Sequence, residues 1–239
     1  KINISDGGLQ KNFASSQSVY GTPVDNGQVG TYTDAGDTGA MNSFRYTTPS
    51  GLPLDAVVAI QYAPYTGAAD NNSSNAAGAL DADGNESALE YAVDIVPIEG
   101  LKVGASYYDP DDSAVAQQEE GGAYYATYSV GAFSLGYGKS YQASSLDTDT
   151  TNGADYYDNT QMSVAFNVND ALSVSYEDVK SEKVFETTTS NVEMDVSSIQ
   201  ASYTVAGMTL SLSTEEYDNV DYTDGNKLKE TNFAMSIAF

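Results

Sequence analysis

The chain has 239 residues, 34 Asp and Glu against nine Lys and Arg, and a formal charge of −25. That balance argues against binding a phosphate backbone, which needs clustered cations, and the one arginine, Arg45, argues against an arginine clamp. Without cysteine or histidine, a thiol nucleophile, a disulfide, a thiolate zinc site and an imidazole base are excluded.

In chain order, Lys1–Asp6 sets Ile2 and Ile4 against Asn3 and Ser5 and reads as a short strand. Residues 7–39 are rich in Gly, Asp and Thr and show no helical period. Alternation with period two then begins with Phe44 and Tyr46, and continues through Val58, Ile60, Tyr62 and through Leu89, Tyr91, Val93, Ile95. It recurs in Val103, Ala105, Tyr107, in Tyr124, Ala126, Tyr128, Val130 and in Phe133, Leu135, Tyr137. The last strands carry Met162, Val164, Phe166, Val168, then Leu172, Val174, Tyr176, then Ile199, Ala201, Tyr203, Val205, then Met208, Leu210, Leu212 and finally Phe233, Met235, Ile237, Phe239. Such alternation over seven to ten residues predicts strands, eleven long ones and a short twelfth. No helix of any length is predicted. No apolar run approaches the roughly 18 residues of a membrane-crossing helix, and a mean hydropathy of −0.35 leaves a membrane β-barrel open. No secretory leader is visible, so the sequence reads as mature or trimmed.

The connections alternate between short and long. Short turns fall at Pro97–Gly100, Gly131-Ala132, Asn169-Asp170 and Ala206-Gly207, with a longer one at Pro49–Pro53. Long polar stretches fall near 64–87, 109–122, 142–159, 180–191 and 214–231. Residues 1–39 and these five stretches hold 25 of the 34 acids, so the acidity belongs to one end of a meander. The strand face opposite the apolar one is small and polar. Apolar outside and polar inside is the pattern of a transmembrane barrel, and Tyr and Phe near strand ends fit aromatic girdles. The expected fold is one all-β domain, an antiparallel up-and-down transmembrane β-barrel.

These residues resemble the C-terminal part of a Gram-negative general porin. The terminal strand Asn232–Phe239 is similar to the signal that outer-membrane barrels present to their assembly machinery, with Phe233, Met235, Ile237 and Phe239 carrying it. Residues 7–39 look like a constriction loop folded into a pore. The run Asn42-Ser43-Phe44-Arg45-Tyr46-Thr47-Thr48-Pro49-Ser50-Gly51-Leu52, followed by Ala56–Tyr62, resembles the strand, turn and strand after that loop. The resemblance implies a sixteen-stranded barrel with four strands upstream of Lys1; a smaller twelve-stranded barrel is the competing reading. Pairing of Ile2–Ile4 with the last strand would refute the sixteen-stranded one.

Arg45 lies between Phe44 and Tyr46 and so takes the inner face. The resemblance sets it opposite loop acids, here Asp25, Asp34 and Asp37, with Asp6 a further candidate. A transverse field across a narrow aqueous eyelet then orients solutes and selects by charge. Pinning of the loop by Arg45 is the structural counterpart of that role. Parity also places Lys102, Glu90, Asp94 and Glu177 inward, and a lumen negative on balance predicts cation preference. Ala123 and Ala126 beside Tyr124 read as an outward patch of small residues suited to subunit packing.

No cofactor and no specific metal site is expected. Acid clusters such as Asp81, Asp83, Glu86 or Asp147, Asp149 fail the calcium-loop spacing, which leaves weak Ca or Mg binding at acidic loops. Adjacent carboxylates such as Glu215-Glu216 point to opposite faces of a strand, poor geometry for acid–base catalysis. The expected function is passive diffusion of ions and small hydrophilic solutes across the outer membrane of a Gram-negative bacterium. The resemblance implies a homotrimer in contact with lipid, lipopolysaccharide and the barrel-assembly machinery; nucleic acid is not a partner. Two other readings are an acidic cell-surface β-rich binding or adhesion module and an autotransporter-type translocator barrel. Pro23 and the many glycines of 7–39 argue against the helix that would thread a translocator.

Overall fold

The computed structural model describes residues 1–5, 7–21, 36–38, 43–64, 87–111, 117–143, 154–185 and 190–237. Among the described residues, twelve strands form one antiparallel sheet in sequence order. They are β1 (Ile2–Ser5), β2 (Ser43–Thr47), β3 (Val57–Ala63), β4 (Ala88–Ile98), β5 (Leu101–Pro110) and β6 (Glu120–Val130). There follow β7 (Phe133–Ala143), β8 (Ala154–Asn167), β9 (Leu172–Phe185), β10 (Val192–Val205), β11 (Met208–Asp218) and β12 (Lys227–Ile237). Among the described residues each strand pairs only with its sequence neighbours, which is the meander read from the connections. Among the described residues no ladder joins β1 to β12, so the pairing that would refute sixteen strands does not occur.

Turn chemistry fixes the short connections. Ala206 and Gly207 both have positive φ, 49° and 81°, as a two-residue hairpin turn between twisted strands requires. At the β8–β9 turn, Asn169 Oδ1 accepts the amides of Ala171 at 2.9 Å and Leu172 at 3.0 Å. The predicted turn at Pro97–Gly100 is shorter in the structure. β4 runs on to Ile98 through a register shift after Ile95, where Pro97 has no amide to give to the ladder.

Alternation places Phe44, Tyr46, Ile60, Tyr62, Tyr124, Phe133, Leu135, Met162, Tyr176, Ile199, Leu212, Phe233 and Met235 on one face, all exposed. The other face carries Gln61, Glu90, Gln161, Ser163, Ser175, Glu177, Ser198, Gln200 and Ser213, all buried. A soluble sheet would show the reverse. Ala123 lies on this polar face and is buried, so it does not share the outward patch with Tyr124; a step of one residue changes face.

The last five strands run further than the apolar alternation shows. β8 to β12 take in 154–159, 180–185, 214–218 and 227–231, stretches read as loop from sequence. The reason is an inversion of polarity along each strand. Beyond Met162, Tyr176, Ile199, Leu212 and Phe233, the outer positions become charged: Asp158, Lys180, Glu182, Glu193, Asp195, Glu216, Asp218, Lys227 and Lys229. The inner positions become apolar, and Tyr157, Val179, Met194, Val196 and Tyr217 form a buried cluster with Val220 and Tyr222. Val220–Tyr222 is a short 3₁₀ turn, and Tyr222 stacks at 5.3 Å from Tyr157 and shares a hydrogen bond of 2.6 Å with Ser181. Cross-strand pairs Lys180–Asp195 at 2.9 Å and Lys227–Asp218 at 2.7 Å line the charged outer rim.

Candidate functional site

The buried polar face is covered by residues 7–21, which cross it from β2 to β10. The crossing is not fully extended: the Ala14 amide donates to the Lys11 carbonyl at 3.1 Å and the Ser16 amide to the Phe13 carbonyl at 2.9 Å, and Phe13 has a positive φ of 53°. The polar wall supplies hydrogen-bond partners for this partly covered chain, of which Ser15 alone is buried.

At the start of the crossing, Arg45 on β2 donates to the carbonyls of Gly7 and, at 3.3 Å, of Gly8, and its Nε donates to Gln61 on β3. Gln61 donates to the Gly7 carbonyl at 3.0 Å and to the Thr38 hydroxyl. The Thr38 amide donates to Glu90 Oε1 at 2.7 Å and its hydroxyl to Glu90 Oε2 at 3.2 Å. One network therefore joins β2, β3 and β4 to both described pieces of residues 7–39. Arg45, Glu90 and Asp37 are brought together here. Asp25 and Asp34, like Asp6, lie outside the described residues.

Next, Lys11 forms an ion pair with Asp94 of β4 at 2.9 Å, and its amide donates to Ser106 Oγ of β5 at 2.9 Å. Lys102 reaches Asp94 at 3.7 Å and stands over the Tyr125 ring at 5.6 Å, while Tyr125 donates its hydroxyl hydrogen to Asp94. Asp94 therefore sits between two ammonium groups. Lys102, half exposed on the inner face, is the described cation most open to solvent there.

Over β7 to β9, Ser15 donates to Gln161, and its carbonyl accepts from Ser163 Oγ at 2.8 Å. Ser16 donates to Glu177 at 3.1 Å, and Gln161 donates to the other oxygen of that carboxylate. Phe13 packs against the apolar cluster at the charged end of the strands. Further on, the amides of Gln17, Val19 and Tyr20 donate to Ser163, Ser175 and Gln200 at 3.0, 3.0 and 2.9 Å. Gln200 returns a bond of 2.7 Å to the Gly21 carbonyl.

Four main-chain amides of the segment, including that of Lys11, thus end on side chains of the wall. The wall rather than the segment's own side chains encodes much of the path. Glu90 and Glu177, expected on an open negative lumen, are 1 % and 0 % exposed. Their parity is as read, but the segment lies over them, and they hold it. Sequence reasoning missed Lys11, Ser15, Gln61, Gln161 and Gln200. A signal existed: Gln61, Gln161 and Gln200 occupy the non-apolar parity of three separate strands. At the last strand, Phe233, Met235 and Ile237 face outward; Phe239 lies outside the described residues. Among the described residues, no three His, Cys, Asp or Glu converge on a possible metal position.

No family model matches the chain, and no curated protein is similar to it. Solved structures share its fold. The outer membrane channel DcaP of Acinetobacter baumannii superposes with a TM-score of 0.62 at 14% identity, over 98% of this chain and 70% of that one. OmpT, an outer membrane protein of Vibrio cholerae folded in vitro, gives 0.54 at 12%, over 98% and 74%. A porin gives 0.50 at 11%, over 82% and 81%. The chain therefore has the porin-type barrel fold.

Proposed function

We propose that this chain forms a porin in the outer membrane of a Gram-negative bacterium, through which ions and small hydrophilic solutes diffuse passively. The observation that carries the reading is the pair of faces: apolar outside, polar inside, with a hydrogen-bonded segment laid across the polar side. A wall of this polarity suits lipid on one side and water on the other. A segment on the inner wall narrows an aqueous passage without filling it, and selectivity then follows from the groups lining what remains.

The finer reading is a cation-preferring, homotrimeric channel without catalytic activity. The net charge of −25 supports the preference. Against it works the local balance at Asp94, where Lys11 and Lys102 face one carboxylate. The trimer, the contact with lipopolysaccharide and the handling by the assembly machinery follow from the resemblance to porins. The lack of histidine and cysteine supports a non-enzymatic role. Weak calcium or magnesium binding at exposed acids remains part of the proposal.

The test is a planar-bilayer recording of the detergent-purified full chain in a salt gradient. Ohmic steps in groups of three, with a reversal potential on the cation side, are expected. An inserted protein that carries no current would overturn the channel reading. A reversal potential on the anion side would overturn only the preference.

A further inference from the structure

We propose that Gly136 and Gly138 of β7 are the positioning residues of the inner segment, and that the trough they form sets the width of the passage. The proposal deepens the channel reading and rests on it.

The inner positions of β7 are Ser134, Gly136, Gly138, Ser140 and Gln142. Two of these five have no side chain, and both lie mid-strand, where glycine is less favourable than alanine. Backbone conformation does not call for them, since neither has a positive φ. Close approach does. A Cβ on Gly136 would overlap the carbonyl oxygen of Ser15. A Cβ on Gly138 would stand 3.2 Å from the Ser15 Cβ and press on its hydroxyl.

The trough has walls. The register sets Gly138 between Tyr125 of β6 and Gln161 of β8, and Gly136 between Thr127 and Ser163. Ser15 sinks into it, 1 % exposed, and is fixed there by Gln161 and Ser163. Here the main chain of the segment lies directly against the wall, with the Ser15 carbonyl where a Gly136 side chain would stand. The turn bond from the Ser16 amide to Phe13 and the bonds to Gln161, Ser163 and Glu177 fix the segment here, so it does not slide aside from a side chain placed beneath it. A methyl group at 136 therefore lifts Ser15 toward the opposite side of the passage and narrows it.

The two positions differ in how a change is relieved. At 138 the obstacle is the side chain of Ser15, which Ser15→Gly removes. At 136 it is a main-chain oxygen, which no substitution of Ser15 removes.

The experiment is single-channel recording of the full chain as wild type, Gly136→Ala, Gly138→Ala and each paired with Ser15→Gly. Only protein with the heat-modifiable gel mobility of a folded barrel is used. Lower unitary conductance is expected in both single variants, with recovery in Gly138→Ala/Ser15→Gly and none in Gly136→Ala/Ser15→Gly. Unchanged or larger conductance in Gly136→Ala overturns the proposal.

A second readout needs no current. The chain has no cysteine of its own, and in a Ser15→Cys/Gly138→Cys pair the Cβ atoms start 3.2 Å apart. A shift of a few tenths of an ångström brings them into the roughly 3.5–4.5 Å range of a disulfide, whereas the larger lift from a methyl at 136 carries them out of it. Its oxidation is expected in an otherwise wild-type chain and is lost on adding Gly136→Ala. Oxidation unaffected by Gly136→Ala overturns the seating of the segment. An inserted chain that passes no current yet shows the expected loss of cross-linking overturns the channel reading and leaves the seating intact.

Discussion

Arg45 reaches Glu90 through two neutral side chains rather than directly. Arg45 donates to Gln61, Gln61 to the Thr38 hydroxyl, and Thr38 to the carboxylate. A cation on β2 and a covered carboxyl group on β4 are thereby linked across β3. The link clamps both described pieces of residues 7–39, since Gly7 and Thr38 are two of its members. Removing the cation should release the beginning of the segment. Hydrogen bonds to charged groups contribute about 1.5–3 kcal/mol each, so Arg45→Ala is expected to lower stability by a few kcal/mol. Arg45→Lys is expected to recover little, because a point ammonium does not serve Gln61 and two carbonyls at once. Denaturant unfolding in detergent, with limited proteolysis across residues 7–21, checks both. Full recovery by lysine would show that charge alone matters.

The clamp shows what was legible in the sequence and what was not. Strand after strand could be read because outer positions repeat every second residue, and Arg45 could be placed inward because Phe44 and Tyr46 flank it. Glu90 and Glu177 could be placed on the inner face by the same parity. Their burial could not, because it depends on a segment more than 50 residues away in sequence from Glu90 and more than 150 from Glu177. The outer halves of β8 to β12 were hidden for another reason. There the apolar residues, such as Tyr157 and Met194, sit on the parity that carries Gln161 and Gln200 nearer the turns, and a search for one apolar stripe stops where the stripe changes sides.

Gln161 and Glu177 form a buried pair whose deletion should be non-additive. Gln161→Leu takes one donor from a fully covered carboxylate and from Ser15 its acceptor, at an expected cost of about 2–3 kcal/mol. Replacing both by leucine leaves no charge in need of a donor, so Gln161→Leu/Glu177→Leu is expected to cost less than the sum of the single changes. Thermal unfolding of the four proteins closes the cycle. Strict additivity would mean that the amide and the carboxylate act independently.

Lys11 tests the local charge balance. Lys11→Met leaves Asp94 with Lys102 at 3.7 Å and the Tyr125 hydroxyl, and removes one cation from the inner face. The reversal potential in a salt gradient is expected to move further to the cation side. The change should be largest at low ionic strength, where screening over the few ångströms involved is weakest. A shift toward anions would show that Lys11 acts on selectivity through the path of the segment and not through its charge.

At the β10–β11 turn, Ala206 carries a φ of 49° that favours glycine or asparagine. The left-handed region costs an ordinary residue about 1–2 kcal/mol, and the paired Gly207 already meets the demand of the second turn position. Ala206→Asn is expected to raise stability by roughly 0.5–1 kcal/mol without touching the passage. Higher unfolding midpoints with unchanged conductance would satisfy the prediction; a lower midpoint would mean that the Ala206 methyl makes a contact worth more than the relief of strain.

The outer face supplies the sharpest test of where the membrane lies. Leu135 stands exposed on β7 between Phe133 and Tyr137, inside the apolar band, whereas Thr231 stands exposed on β12 among Lys227 and Lys229, beyond it. A lysine at the middle of a lipid-facing band costs about 2–4 kcal/mol and near or above the interface about 0–1. Leu135→Lys is therefore expected to destabilise the protein in a bilayer by several times as much as Thr231→Lys. In detergent-free buffer the order should carry no meaning, since the fold needs its apolar face covered. Reversible unfolding from lipid vesicles measures the difference. Equal costs at the two positions would place water, not lipid, against Leu135, and the sheet would then have to be read as the wall of a soluble or surface-bound protein.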